Sequence, residues 1–286
     1  MHNLADAPGS QPPRASPYTH RMIFNVLRQV SRLLLPIPCT TCAQPLTDDP
    51  VPFFCRSCWA LIRPLRGSAC ARCRRPLASP SALTHSPTHE CHDCRTRQPY
   101  YAEVWAPYAY CSPLQDAIAL FKYHGKVSLA DALAALLIHT LPSHLEGDVL
   151  MPIPLHPNRL REREFNQSLL LADRVAAALK CPVAYRNLVR IVDTEPQTTL
   201  PRSARLHNLR RAFALHAPHE VAGKRILLID DVFTTGTTSN ECARLLCQAG
   251  AERVTLLALA RSVEAGLVPE VWLPPSVPRS DTDLRA

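Results

Sequence analysis

The sequence predicts an α/β protein, a mainly parallel sheet with helices on both faces preceded by a small metal-binding domain. Three observations predict it. Ile226, Leu227, Leu228 and Ile229 form an unbroken apolar run, the pattern of a strand buried on both faces of a parallel sheet. That run passes through Asp230 and Asp231 into Thr234, Thr235, Gly236, Thr237 and Thr238. A helical period follows, with Ala243, Leu245, Leu246 and Ala249 apolar and Gly250 as its stop. Finally, eight of the twelve cysteines stand ahead of this unit in four C-x-x-C pairs, which read as metal ligands.

The chain has 286 residues, 47% of them hydrophobic, enough for two domains and a sizeable core. No apolar run approaches the roughly 18 residues of a membrane span; the longest, Ala132 to Ile138, is far shorter. Asp6 and several prolines precede any apolar segment, so no secretory signal is expected and the cytoplasm is the expected location. Twelve cysteines in that setting argue for metal over disulfides. The formal net charge is +8; two Cys₄ zinc sites would lower it to about +4. Ten arginines and Lys180 against five acids between Leu150 and Leu215 concentrate the surplus upstream of the threonine-rich stretch, which favours a phosphorylated ligand or nucleic acid there.

In chain order, residues 1–20 lack periodicity and are expected to be disordered. Arg21 to Leu35 carries Met22, Ile23, Val26, Leu27, Val30, Leu33 and Leu34 on one face and is ended by Pro36, an amphipathic helix. It either packs on its own domain or lies on a membrane surface, which would put the protein at the periphery of the inner membrane. Two zinc ions are expected over Cys39 to Arg97. Sequential pairing joins Cys39 and Cys42 to Cys55 and Cys58, and Cys70 and Cys73 to Cys91 and Cys94; crossed pairing of alternate units is the other arrangement. His85, His89 and His92 are spare. Cys111, Cys181, Cys242 and Cys247 read as apolar filler.

Val104 to Tyr110 alternates as a strand, with Pro107 indicating an edge. A helix from Leu114 to Phe121 or Tyr123 leads into Lys122-Tyr123-His124-Gly125-Lys126, whose lysines could approach a pyrophosphate or form a solvated turn. A second helix covers Leu129 to Leu141. Val149 to Ile153 reads as a strand, and His156 to Arg163 as a basic loop. Asn166 then caps a helix with Leu169, Leu170, Val175, Ala176 and Leu179 on one face. Val183 to Arg190 and Val254 to Leu259 read as further strands. Between them Thr194 to Leu200, with Arg202, Arg205, Arg210 and Arg211 behind it, reads as a mobile lid or a plain surface loop. The chain from Glu264 reads as a loose tail. The division expected is 1–20, a helix plus zinc ribbons over 21–100, an α/β domain over 101–263, and 264–286.

The chemistry concentrates at the threonines. A loop leaving a buried strand can turn several N–H groups toward one anion at a helix N-terminus, and the hydroxyls add donors. Two adjacent acids would repel that anion, and suit sugar hydroxyls or a Mg²⁺ ion beside it. This stretch resembles the phosphoribosyl pyrophosphate signature of type I phosphoribosyltransferases. The resemblance implies that Asp230 and Asp231 hold the ribose 2′- and 3′-hydroxyls and that Thr234, Thr235, Gly236, Thr237 and Thr238 wrap the 5′-phosphate. The order of pieces narrows it: a C-x-x-C array, F-K-Y-H-G-K at Phe121 to Lys126, P-I-P-L-H-P-N-R-L-R with F-N-Q, P-Q-T, then D-D-V-F-T-T-G-T-T. Over about 33–261 this resembles the ComF (GntX-like) family of phosphoribosyltransferase-like proteins, which implies a link to DNA uptake in natural transformation. That family has glycine before Phe-Asn-Gln; here Glu164 stands there, a carboxylate beside the expected pyrophosphate.

Two functions are expected. One is transfer of a phosphoribosyl group from phosphoribosyl pyrophosphate with Mg²⁺. It uses no obvious general base, the leaving pyrophosphate being stabilised by Arg159, Arg161, Arg163 and Lys122. The other is a non-catalytic adaptor holding single-stranded DNA or a component of a DNA-uptake machine, with a regulatory or vestigial pocket.

Overall fold

The computed structural model describes residues 37–77, 86, 88–193 and 211–263. The amphipathic helix over Arg21 to Leu35, His85, the lid before Arg211, and both terminal segments lie outside them.

Five parallel strands form the central sheet: β1 (Glu103–Trp105), β2 (Tyr108–Ala109), β3 (Val149–Pro152), β6 (Arg225–Phe233) and β7 (Arg253–Arg261). The order is β1-β7-β6-β3, with β2 pairing the far end of β7. Leu228 of β6 faces Met151 of β3 and Leu256 of β7 in register. Pro107 separates β1 from β2 at the sheet edge, as a residue without an amide hydrogen requires. A separate antiparallel ribbon joins β4 (Leu188–Arg190) and β5 (Phe213–Leu215).

The apolar run of β6 is buried on both faces. Ile226 and Leu228 pack with Val254, Leu256, Met151 and Leu246. Leu246 belongs to α7 (Thr237–Gln248). Leu227 and Ile229 pack with Leu257, Leu259, Leu150 and the helices of the opposite face. Those are α3 (Leu114–Tyr123), α4 (Ala130–Ile138) and α6 (Gln167–Leu179). Each such aliphatic side chain contributes about 1.5–3 kcal/mol by leaving water. Cys70, Cys73, Cys91 and Cys94 join the first of these two cores. Cys91 caps the short helix α2 (His92–Arg97) and Cys94 lies within it, as Cys55 caps α1 (Arg56–Trp59) and Cys58 lies within that helix.

Four expectations are corrected. The basic stretch expected as a loop is a helix, α5 (Pro157–Arg163). Its Pro157 stands at the first turn, where a missing amide hydrogen costs nothing, and its arginines leave no apolar face to give a helical period. The helix expected over Leu129 to Leu141 begins with the 3₁₀ turn Val127–Leu129 and ends at Ile138. On α6 the buried apolar residues are Leu171, Ala172, Val175 and Ala176, and Leu169 is not among them. The stretch Val183 to Arg190 divides into a parallel bridge from Val183 to Leu150 and strand β4. Strand β5 had no distinguishing pattern, because only Phe213 of its three residues is buried.

Candidate functional site

The cysteines settle into two groups, Cys39, Cys42, Cys55, Cys58 and Cys70, Cys73, Cys91, Cys94, with each group's sulfurs within 4.8 Å of one another. This is the sequential pairing, and the crossed arrangement is excluded. Four thiolates at the usual 2.3 Å from a tetrahedral zinc stand about 3.8 Å apart. The Cys42 and Cys55 sulfurs are 3.7 Å apart, as are those of Cys73 and Cys91. Amide hydrogens turn toward them, from Cys55 to the Cys39 sulfur at 3.4 Å and from Cys91 to the Cys70 sulfur at 3.2 Å, the environment a thiolate needs. Both groups fit structural zinc, with no ligand position left open. His89 and His92 belong to neither.

At the sheet's carboxyl edge, where ligands of open α/β sheets collect, strand β6 runs on past its apolar run, so that Asp230 and Asp231 are strand residues. Alternation sends them to different neighbours. Asp231 is buried and meets Lys122 of α3, whose Nζ lies 2.8 Å from its Oδ1. Asp230 accepts from Ser168 Oγ at 3.1 Å and from the Asp231 amide at 2.9 Å. Burial, then the charge of Asp231, pushes the Asp230 carboxyl up to about 7. The charge of Asp231 holds the Lys122 ammonium above its ordinary value against its own burial.

Beyond Phe233 the chain turns through Thr234 and Thr235 into α7. Gly236 caps the helix with φ +72, a left-handed conformation glycine adopts freely. A Cβ there would stand 2.7 Å from the Phe233 ring and 3.3 Å from the Tyr101 hydroxyl. Thr235 and Thr237 hydroxyls meet at 2.8 Å. Thr234, Thr235, Gly236 and Thr237 line a cavity of about 280 Å³, together with Cys73, Cys91, Cys94 and Arg261. Thr238 follows in the first turn of α7.

The three expected arginines stand on α5, away from that cavity. Arg159 donates to Glu162 at 3.0 Å and Arg161 to Asn158 at 2.8 Å. Arg163 donates to Gln167 at 3.1 Å and lies over the Tyr123 ring at 5.0 Å. Gln167 reaches the Lys122 carbonyl at 3.4 Å, so Arg163 and Lys122 share a neighbour. Lys126 instead lies over the Phe53 ring at 5.3 Å. Glu164 is exposed and caps α5 with φ 64, a left-handed position. The glycine expected there answers to backbone geometry.

Sequence reading missed Ser168 and Arg261. Ser168 is 62 positions from the Asp230 it contacts, and no local pattern marks such a pair. Arg261 stands at the end of a strand, behind the apolar run Leu256 to Ala260, where nothing local marks it.

A family model described as phosphoribosyl transferase domain matches residues 166–272. The chain is 31% identical over 237 residues to the DNA utilization protein YhgH of Salmonella typhimurium, covering 81% of this chain and all of that protein. It is 28% identical to competence protein F of Haemophilus influenzae, over 73% of this chain and 97% of that one. It is 30% identical to competence protein ComFC of Bacillus subtilis, over 73% and 84%.

Proposed function

The chain belongs to the ComF family, the family of the DNA utilization and competence proteins it resembles. From that premise we propose that its phosphoribosyltransferase domain binds phosphoribosyl pyrophosphate with Mg²⁺ and works in DNA uptake. One observation carries this reading: two adjacent acids at the carboxyl end of β6 lead directly into a glycine-capped helix N-terminus that lines a cavity. The amides and hydroxyls of Thr234 to Thr238 would take the 5′-phosphate. Asp230 and Asp231 would take the ribose hydroxyls. Lys122 neutralises Asp231 and keeps donors to spare, which lets two carboxylates sit beside a phosphorylated ligand. Bound Mg²⁺ would neutralise pyrophosphate charge. Arg163, close to Lys122 through Gln167, is the best placed of the three arginines for the pyrophosphate side.

Calorimetry tests the pocket. Wild type should bind phosphoribosyl pyrophosphate with Mg²⁺, and the double variant Asp230→Ala, Asp231→Ala should lose at least about tenfold in affinity through the lost hydroxyl acceptors. Equal affinities would reject the site.

A second reading rests on the outward-facing helix α5. Arg159 and Arg161 engage only their own helix in the contacts described, leaving a basic surface suited to a nucleic-acid backbone. In this reading the domain is an adaptor for single-stranded DNA. Pyrophosphate release on adding nucleobases or single-stranded DNA supports the enzyme; salt-dependent DNA binding without release supports the adaptor.

A further inference from the structure

Two series of contacts tie the second cysteine centre to the threonine bend. Arg261 ends β7 and is 5% exposed. One of its terminal nitrogens donates to the Cys73 carbonyl, inside the turn that presents two of the four sulfurs. Its guanidinium lies over the Phe233 ring at 5.6 Å. Phe233 is the last residue before the bend, its ring meets Tyr101 edge-on at 5.9 Å, and Gly236 rests against both. On the other side, Arg72 of the same cysteine turn donates to the Pro99 carbonyl at 3.0 Å, and the next amide, of Tyr100, donates to Asn240 in the first turns of α7 at 2.7 Å. The Arg261 Nε has no hydrogen-bond partner among the described residues. A buried cation so poorly bonded needs a fixed negative charge nearby, and four thiolates on a divalent ion carry a net charge of about −2. Cys39, Cys42, Cys55 and Cys58 have no part in these contacts; the Thr41 hydroxyl beside them reaches Asp116 of α3 at 3.1 Å.

We propose that Arg261, acting through Phe233, is a positioning residue that couples metal at Cys70, Cys73, Cys91 and Cys94 to the phosphate-binding shape of the 234–238 bend. The metal turn fixes Arg261, Arg261 fixes the Phe233 ring, and the ring fixes the one conformation in which Gly236 caps α7. The second centre is thereby a regulatory site for ligand binding, whereas the first is not. The coupling rests on the reading that the bend takes a phosphate. Because coupling between two sites is reciprocal, a ligand in the bend must tighten the second ion.

The test uses the full chain loaded with two zinc ions. Zinc release to a coloured chelator is followed with and without phosphoribosyl pyrophosphate and Mg²⁺, alongside calorimetry. The expected result is that ligand slows release of one ion about tenfold, within the usual range for coupled sites, and leaves the other unchanged. The double variant Asp230→Ala, Asp231→Ala controls for chelation by the ligand itself. Arg261→Met should release both ions at ligand-independent rates, and Arg261→Lys, which keeps the cation, should recover part of the protection. Ligand binding in calorimetry with neither ion protected, or with both protected equally, overturns the coupling and leaves the pocket standing. No binding in calorimetry removes both. Should Arg261→Met fail to fold, the wild-type comparison decides alone.

Discussion

Asp230 and Asp231 are neighbours in sequence that the strand turns into chemically different groups. Asp231 has a cation at 2.8 Å; Asp230 has a hydroxyl and an amide, and burial raises its carboxyl from 3.8 to about 7. An acid raised on folding holds its proton more tightly in the native chain than in the unfolded one. Its ionisation therefore costs stability as pH climbs from about 4 to about 7, and nothing below that window. Asp230→Asn stays neutral throughout, so the urea midpoint of wild type should fall relative to this variant across that range; parallel midpoints would show an ordinary carboxyl. Lys122→Met leaves Asp231 buried and unpaired. A loss of about 3 kcal/mol in denaturant unfolding is expected, and a loss below about 1 kcal/mol would mean that Asp231 finds another partner. The acids and threonines could be read from their order, because the chain itself sets their spacing. Ser168 and Arg261 could not, because folding alone brings them near.

At the scale of elements, α5 and the bend before α7 show how a single residue ends or begins a helix. Glu164 holds a left-handed conformation at the end of α5, which costs a residue with a side chain about 1–2 kcal/mol, partly offset by the larger unfolded entropy of glycine. Glu164→Gly should therefore stabilise the chain by up to about 1 kcal/mol in chemical denaturation; destabilisation would mean that the carboxylate makes a contact of its own. The start of α6 was legible, since Asn166 caps it through the Ser168 amide at 2.9 Å. The helicity of the arginine stretch was not, because Leu160 alone among its mostly polar residues gives no periodic signal and the helix is fixed by its termini.

For the whole molecule, the second cysteine centre is part of the sheet's own core, sharing it with Met151, Leu228 and Leu256. Stripping both zinc ions should lower Tm by about 10 °C or more in one cooperative transition, since structural zinc contributes folding free energy. A sheet that melts unchanged would mean that the cysteine segment folds apart from it. Among the described residues no helix is long and apolar enough to cross a membrane. By itself the sequence determined the buried strand, the acids and threonine bend behind it, and the four C-x-x-C pairs, because each is written in spacings of a few residues that backbone geometry obeys locally. Only the tertiary structure decided which cysteine pairs cluster, that Lys122 turns to Asp231, and that Arg261 lies between a cysteine turn and the bend. Those neighbours come from distant segments, and their meeting depends on how the sheet stacks its strands.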